Sequence, residues 1–130
     1  MNQTQSKTQT LEQQRAAHAW QCAQEARHLP GYGVLAKSLP PLIMNSGLLQ
    51  VLAYLEEKRK SSVGQHYEKL AAHLRAWLHR RFGVDEGFSA CMVELMASDP
   101  AKFREITIEA LAWLRWVRQI APALGTTRQG

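Results

Sequence analysis

Apolar residues recur every three or four positions along most of this chain, and no segment shows the strict alternation of a strand. Thr10 followed by Gln13 has the form of a capping box, which predicts a helix from about Leu11 to Leu29. Its apolar side is mostly small (Ala16, Ala19, Ala23, Ala26), with Leu11, Trp20, Cys22 and Leu29. The stretch Pro30-Gly31-Tyr32-Gly33 is expected to end it. Pro40-Pro41 should kink or break the short helix that follows, and Asn45-Ser46-Gly47 makes a second break. Leu48 to Leu55 is apolar all round the helical wheel apart from Gln50, which marks a buried helix. Ser61 or Ser62 is expected to cap the next helix, which carries Val63, Tyr67, Leu70, Leu74 and Leu78 to Phe82 and stops at Gly83. A short helix from Phe88 to Ala97 precedes Ser98-Asp99-Pro100, a cap with proline in the first turn. The last helix should run to about Ala123 with Phe103, Ile106, Ala110, Trp113, Leu114, Val117 and Ile120 inward. The expected architecture is all-α: a compact single-domain bundle of five to six helices over residues 10–124. A disordered tail at 1–9 and a frayed tail at 125–130 flank it.

Composition narrows the class without naming a function. An apolar fraction of 45% and a charged fraction of 21% are those of a soluble globular domain, and 130 residues suffice for one core. The longest apolar run, Val34 to Leu55, is broken by Lys37, Pro40, Pro41, Asn45 and Gln50, and no membrane span is expected. The first ten residues lack the apolar core of a signal peptide. Cys22 and Cys91 are far apart and outside any Cys-x-x-Cys arrangement. A cytoplasmic protein with reduced thiols is the reading these features support.

Charge placement changes the picture more. The net charge is +5. Residues 58–81 hold seven basic residues (Lys58, Arg59, Lys60, Lys69, Arg75, Arg80 and Arg81) against one acidic residue, Glu68, while the rest of the chain holds nine basic and ten acidic. His66, His73 and His79 lie in the same segment. At about 100° per residue, His66, Lys69, His73 and Arg80 form a stripe beside an apolar face centred on Tyr67, Leu74 and Leu78, with Trp77 at the border. Such a stripe suits a phosphate backbone, and an indole at its edge could stack on a base, although core packing is the commoner role for a tryptophan there. Arg104, Arg115 and Arg118 make a second, shorter stripe on the last helix. A solvated basic face on a protein without any nucleic-acid partner would look the same.

Other constellations are thinner. His18 and Cys22 stand one turn apart, with Glu25 as a possible third metal ligand, but a buried cysteine beside a histidine explains them more simply. Glu105 and Glu109 are spaced like a surface pair engaged in salt bridges. No phosphate-binding glycine loop, zinc-protease helix or nucleophile elbow is present, and neither catalysis nor a cofactor is expected. Leu48–Arg59, the Ser61-Ser62 turn and the helix from Val63 could form a helix-turn-helix of a stand-alone DNA-binding regulator. Its first turn would offer only Gly64 and Gln65 to base edges.

Three blocks in order carry a resemblance. They are Leu39-Pro40-Pro41-Leu42-Ile43 through Gly47-Leu48 to Leu52-Ala53-Tyr54-Leu55 and Lys58; Tyr67, Leu70, Leu74 and Trp77-Leu78; and Phe103-Arg104, Thr107, Glu109 to Leu114, Trp116, Arg118 and Ala121. Together they resemble the small-subunit family of the Cmr complex, the type III-B CRISPR RNA-silencing effector, usually called the fifth Cmr protein. Ser46 before Gly47 and Leu49 after Gly47-Leu48 depart from the family pattern. The resemblance implies a helical, non-catalytic subunit in antiviral defence. Its partners would be the backbone and large Cmr subunits, adjacent copies of itself, and a CRISPR RNA paired to target RNA. The family's RNA contacts are basic surface residues without a strict motif. Candidate contacts therefore follow from charge: Lys58, Arg59, Lys60, Lys69, His73, Arg75, Arg80, Arg81, Arg115 and Arg118. Trp116 and Ile108 fall off the apolar arc of the last helix and could meet a partner or equally pack on the N-terminal helix.

Overall fold

The computed structural model describes residues 8–125. The expected tails therefore lie outside the described residues for 1–7 and 126–130. Six helices follow one another: α1 (Leu11–Glu25), α2 (Tyr32–Ser46), α3 (Leu48–Lys58), α4 (Gln65–Phe82), α5 (Phe88–Ala97) and α6 (Pro100–Leu124). The expected all-α class holds, with no strand among the described residues. The long α6 is the spine. It packs against α1, α2 and α4, while α3 packs against α2, α4 and α5.

Local chemistry sets most of the boundaries. Thr10 Oγ1 accepts from the Gln13 backbone N–H at 3.1 Å, and Gln13 Oε1 accepts from the Thr10 N–H at 2.8 Å, closing the capping box. Asp99 Oδ1 accepts from the Lys102 N–H at 2.9 Å and starts α6 over Pro100. Gly83 adopts φ +77° and ends α4, and Gly47 at φ +89° separates α2 from α3.

Three expectations are corrected. First, α1 stops at Glu25 rather than Leu29: beyond Ala26 the helical ladder gives way to tighter turns, with the Arg27 N–H on the Gln24 carbonyl at 3.5 Å and the Leu29 N–H on the Ala26 carbonyl at 2.9 Å. Second, Pro40-Pro41 neither breaks nor ends a helix. α2 begins at Tyr32 and runs through both prolines to Ser46. The prolines remove the donors that would serve the carbonyls of Ala36 and Lys37, at about 3 kcal/mol for a proline in a helix interior. The same helix buries Tyr32, Leu35, Ala36, Leu39 and Ile43. Each large apolar side chain contributes roughly 1.5–3 kcal/mol, which outweighs the lost bonds. Third, α4 starts at Gln65 with Gly64 as its N-cap, so neither Ser61 nor Ser62 caps it, and Val63 is exposed. In α3 only Leu48, Val51, Leu52 and Leu55 are buried, and Ala53 faces solvent, so that helix is one-sided rather than enclosed.

The α3–α4 turn is tight enough to dictate a glycine. A Cβ on Gly64 would sit 2.4 Å from the Lys58 carbonyl oxygen and 2.8 Å from the Arg59 backbone. A Cβ on Gly33, inside α2, would meet only ordinary contacts from 3.7 Å outward. Gly64→Ala should therefore lower stability by about 1–3 kcal/mol through backbone displacement. Gly33→Ala should raise it by about 0.5–1 kcal/mol by lowering the entropy of the unfolded chain. Urea unfolding midpoints check both signs, and a neutral Gly64→Ala would contradict the close turn.

Candidate nucleic-acid interface

The basic segment divides once its neighbours are in place. The side chain of α6 residue Glu109 is 4% exposed and accepts from three cations or donors. Arg15 of α1 reaches it with Nε at 2.7 Å and Nη2 at 2.8 Å, Trp77 Nε1 of α4 donates at 3.0 Å, and Arg81 Nη2 lies at 3.4 Å. Burial alone would push the Glu109 carboxyl up, but the hydrogen bonds from Arg15 and Trp77 and the charges of Arg15 and Arg81 outweigh it and hold the group below its ordinary range. This corrects the surface pairing expected of Glu105 and Glu109. Glu105 faces Lys102 at 3.7 Å on the outside, whereas Glu109 lies between Ile106 and Trp113 on the buried arc.

Two histidines occupy the adjoining layer. His18 lies between the rings of Trp77 and Trp113, at centroid distances of 5.0 and 5.5 Å. Trp113 Nε1–H donates to its Nδ1 at 2.9 Å, which fixes the proton on Nε2. Burial, with the nearby Arg80 charge, pushes the His18 pKa down to about 4. His73 is buried, with Nδ1 2.7 Å from the Tyr32 hydroxyl and Nε2 3.0 Å from Glu25 Oε1. Burial keeps the Tyr32 phenol protonated, so its O–H donates to Nδ1 and the His73 Nε2–H faces the carboxylate. The expected RNA contact at His73 is thereby corrected, since both ring nitrogens are engaged inside the protein.

The remaining basic residues sort by what holds them. Arg81 belongs to the Glu109 cluster. Arg75 Nε donates to the Glu86 carbonyl at 2.6 Å and anchors the α4–α5 loop. Arg59 Nε pairs with Glu56 at 2.9 Å, and its Nη1 lies 3.9 Å from Glu68. Lys58, Lys60, Lys69 and Arg80 have no carboxylate within salt-bridge distance among the described residues. Lys69 lines an open hollow of about 480 Å³ with His28, Leu29, Gln65, Glu68 and Ala72. The Arg80 guanidinium lies 5.5 Å from the Trp77 ring, and Trp77 itself is fully buried. Trp77 is therefore a core residue that Arg80 covers, with no face for a base. Arg115 and Arg118 line a different groove, on α6 beside α2.

A family model for a CRISPR-associated protein (Cas_Cmr5) matches residues 11–124, from the first residue of α1 to the last of α6. The chain belongs to this family. It is thus a CRISPR subunit that associates with other Cmr proteins. Within the Cmr5-family fold, His18 and Cys22 do touch, at 3.5 Å, but Glu25 turns to His73. No group of three or more histidine, cysteine or acidic residues could hold a metal among the described residues. Cys22 and Cys91 are free and buried, and burial pushes the Cys22 thiol up to about 12. No described helix is long and apolar enough to cross a membrane. The first turn of α4 presents Gln65 and the acidic Glu68 to solvent, while the His66 ring packs on Tyr67 at 4.4 Å. That is a poor surface for a DNA groove.

The buried cluster makes two measurable claims. Glu109→Ala should cost about 1–3 kcal/mol, because it leaves the buried Trp77 N–H without an acceptor and the half-buried Arg15 without its partner. Thermal unfolding reads the loss, and a change of midpoint within error would contradict the cluster. Acid should destabilise in two stages. His18 is disfavoured as a cation when folded, so its contribution is complete above 6.5 and is lost as pH falls from 6.5 toward about 4. Glu109 has a lowered folded pKa, so its contribution is complete above 4.5 and is lost below that. A melting temperature that stays flat from pH 7 to pH 4.5 would contradict a neutral His18.

Proposed function

We propose that this chain is a non-catalytic small subunit of the Cmr RNA-targeting complex. It helps to hold target RNA paired to CRISPR RNA through the sugar-phosphate backbone, and it stabilises the assembly in antiviral defence. The observation that carries the proposal is the set of cations left unpaired on and beside α4: Lys58, Lys60, Lys69 and Arg80. The other arginines of the segment are already held by partners of this chain: Arg59 by Glu56, Arg75 by the Glu86 carbonyl and Arg81 by Glu109. Lysine and arginine side chains held outward from a rigid helix meet phosphates without reading bases. A subunit serving any target sequence requires that kind of contact.

Lys69→Glu combined with Arg80→Glu in the assembled complex should weaken target-RNA retention equally for unrelated sequences. Each lost phosphate contact lowers the slope of log affinity against log salt by roughly 0.7–0.9. The double variant should therefore flatten it by about 1.5. Lys69→Gln with Arg80→Gln should give a smaller loss in the same direction. Unchanged retention and slope in a complex that carries the folded double variant would sink the proposal.

A further inference from the structure

Outside the basic segment, the most distinctive surface is the groove between α2 and α6. The two helices run antiparallel: Gly33 at the start of α2 faces Ala121 and Pro122 at the end of α6, while Pro40, Pro41 and Met44 face Leu111, Arg115 and Arg118. Two outward ridges border the groove. Val34, Lys37, Pro41 and Met44 repeat at three- and four-residue steps along α2, and Ile108, Leu111, Arg115 and Arg118 do the same along α6. Three of the seven large apolar side chains exposed among the described residues, Met44 (77% exposed), Val34 (72%) and Ile108 (59%), lie on these ridges. Lys37, Arg115 and Arg118 carry the only charges on the two ridges, all positive. None of the three has a carboxylate within salt-bridge distance among the described residues. α2 contains no acidic residue at all.

We infer that this groove docks an acidic amphipathic helix of another protein chain, with its apolar stripe laid on Pro40, Pro41, Met44 and Leu111 and its carboxylates on Lys37, Arg115 and Arg118. The hollow measures about 240 Å³, enough for one or two anchoring side chains rather than a whole ligand. A groove between two antiparallel helices receives a third helix through anchors at i, i+3 or i+4, and i+7. The apolar floor distinguishes the site from a phosphate track. An RNA backbone would satisfy the arginines but leave Met44, Val34 and Ile108 in water. The unpartnered cations distinguish it from a purely hydrophobic contact, since they specify the sign of the partner. The inference removes Arg115 and Arg118 from the RNA-contact set, and it does not depend on α4 binding RNA.

The test uses the reconstituted Cmr complex with a photo-reactive benzoylphenylalanine placed at Met44 or, separately, at Ile108. Cross-links should fall in one segment of a different protein chain, with acidic residues flanking apolar residues spaced three or four apart. Arg115→Glu with Arg118→Glu should reduce entry of the chain into the complex at least tenfold, at an unchanged circular-dichroism spectrum and melting temperature. Met44→Leu should enter as well as the parent. RNA affinity of the isolated chain should be the same with and without the Arg115→Glu and Arg118→Glu substitutions. The inference is overturned by cross-links to RNA, to a second copy of this chain, to a basic segment, or to nothing. It is equally overturned if the folded double variant enters the complex normally.

Discussion

Everything in this fold turns on a carboxylate in the interior. Glu109 sits in the first half of the spine helix α6 and is reached by Arg15 from α1 and by Trp77 and Arg81 from α4. A buried carboxylate without such partners would be strongly disfavoured, and with them it fixes which helices meet and in what register. The neighbouring layer extends the same logic. His18 of α1 accepts from Trp113 of α6 and packs on Trp77, and His73 of α4 joins Tyr32 of α2 to Glu25 of α1. Polar links of this kind do not add much net stability, but they are directional where apolar packing is not. They specify one arrangement of four helices around the two indoles.

The same network decides the functional surface. A carboxylate that takes Arg81 and a histidine that turns to Glu25 engage two members of the basic segment within the protein. What remains outside is a sparser set of cations, held on a helix whose opposite face is locked into the core. Rigidity of that kind favours contacts with a regular, charged backbone, because side chains reach it without reordering the helix. The bundle thus presents two chemically different faces. One, on and beside α4, is cationic and polar. The other, along α2 and α6, joins cations to exposed apolar residues.

Much of this was legible in the sequence, for local reasons. The capping box at Thr10, the stop at Gly83, the break at Gly47 and the Asp99-Pro100 start are short-range signals, and each formed as the residues dictate. The course of α2 was not legible. Two adjacent prolines ordinarily interrupt a helix, and only the tertiary burial of Leu35, Leu39 and Ile43 overrides them. The start of α4 was missed because a serine pair looks like a cap, whereas a close approach of backbone to Gly64 selects the glycine. For the site, the charge excess of residues 58–81 was visible, but its division was not. Pairing is non-local: Arg15 and Glu109 are 94 positions apart. One signal was available and points the right way. Glu109 lies on the apolar arc between Ile106 and Trp113, a placement that a surface carboxylate would not take.

The role of α4 in holding RNA is tested most directly by ultraviolet cross-linking of the assembled complex on target RNA, with peptide mapping of the linked sites. Cross-links from this subunit are expected in peptides spanning Lys58–Lys60 and Lys69–Arg80, on targets of unrelated sequence. Cross-links confined to other subunits, or in this chain confined to α5 or the α2–α6 groove, would contradict an RNA-facing α4.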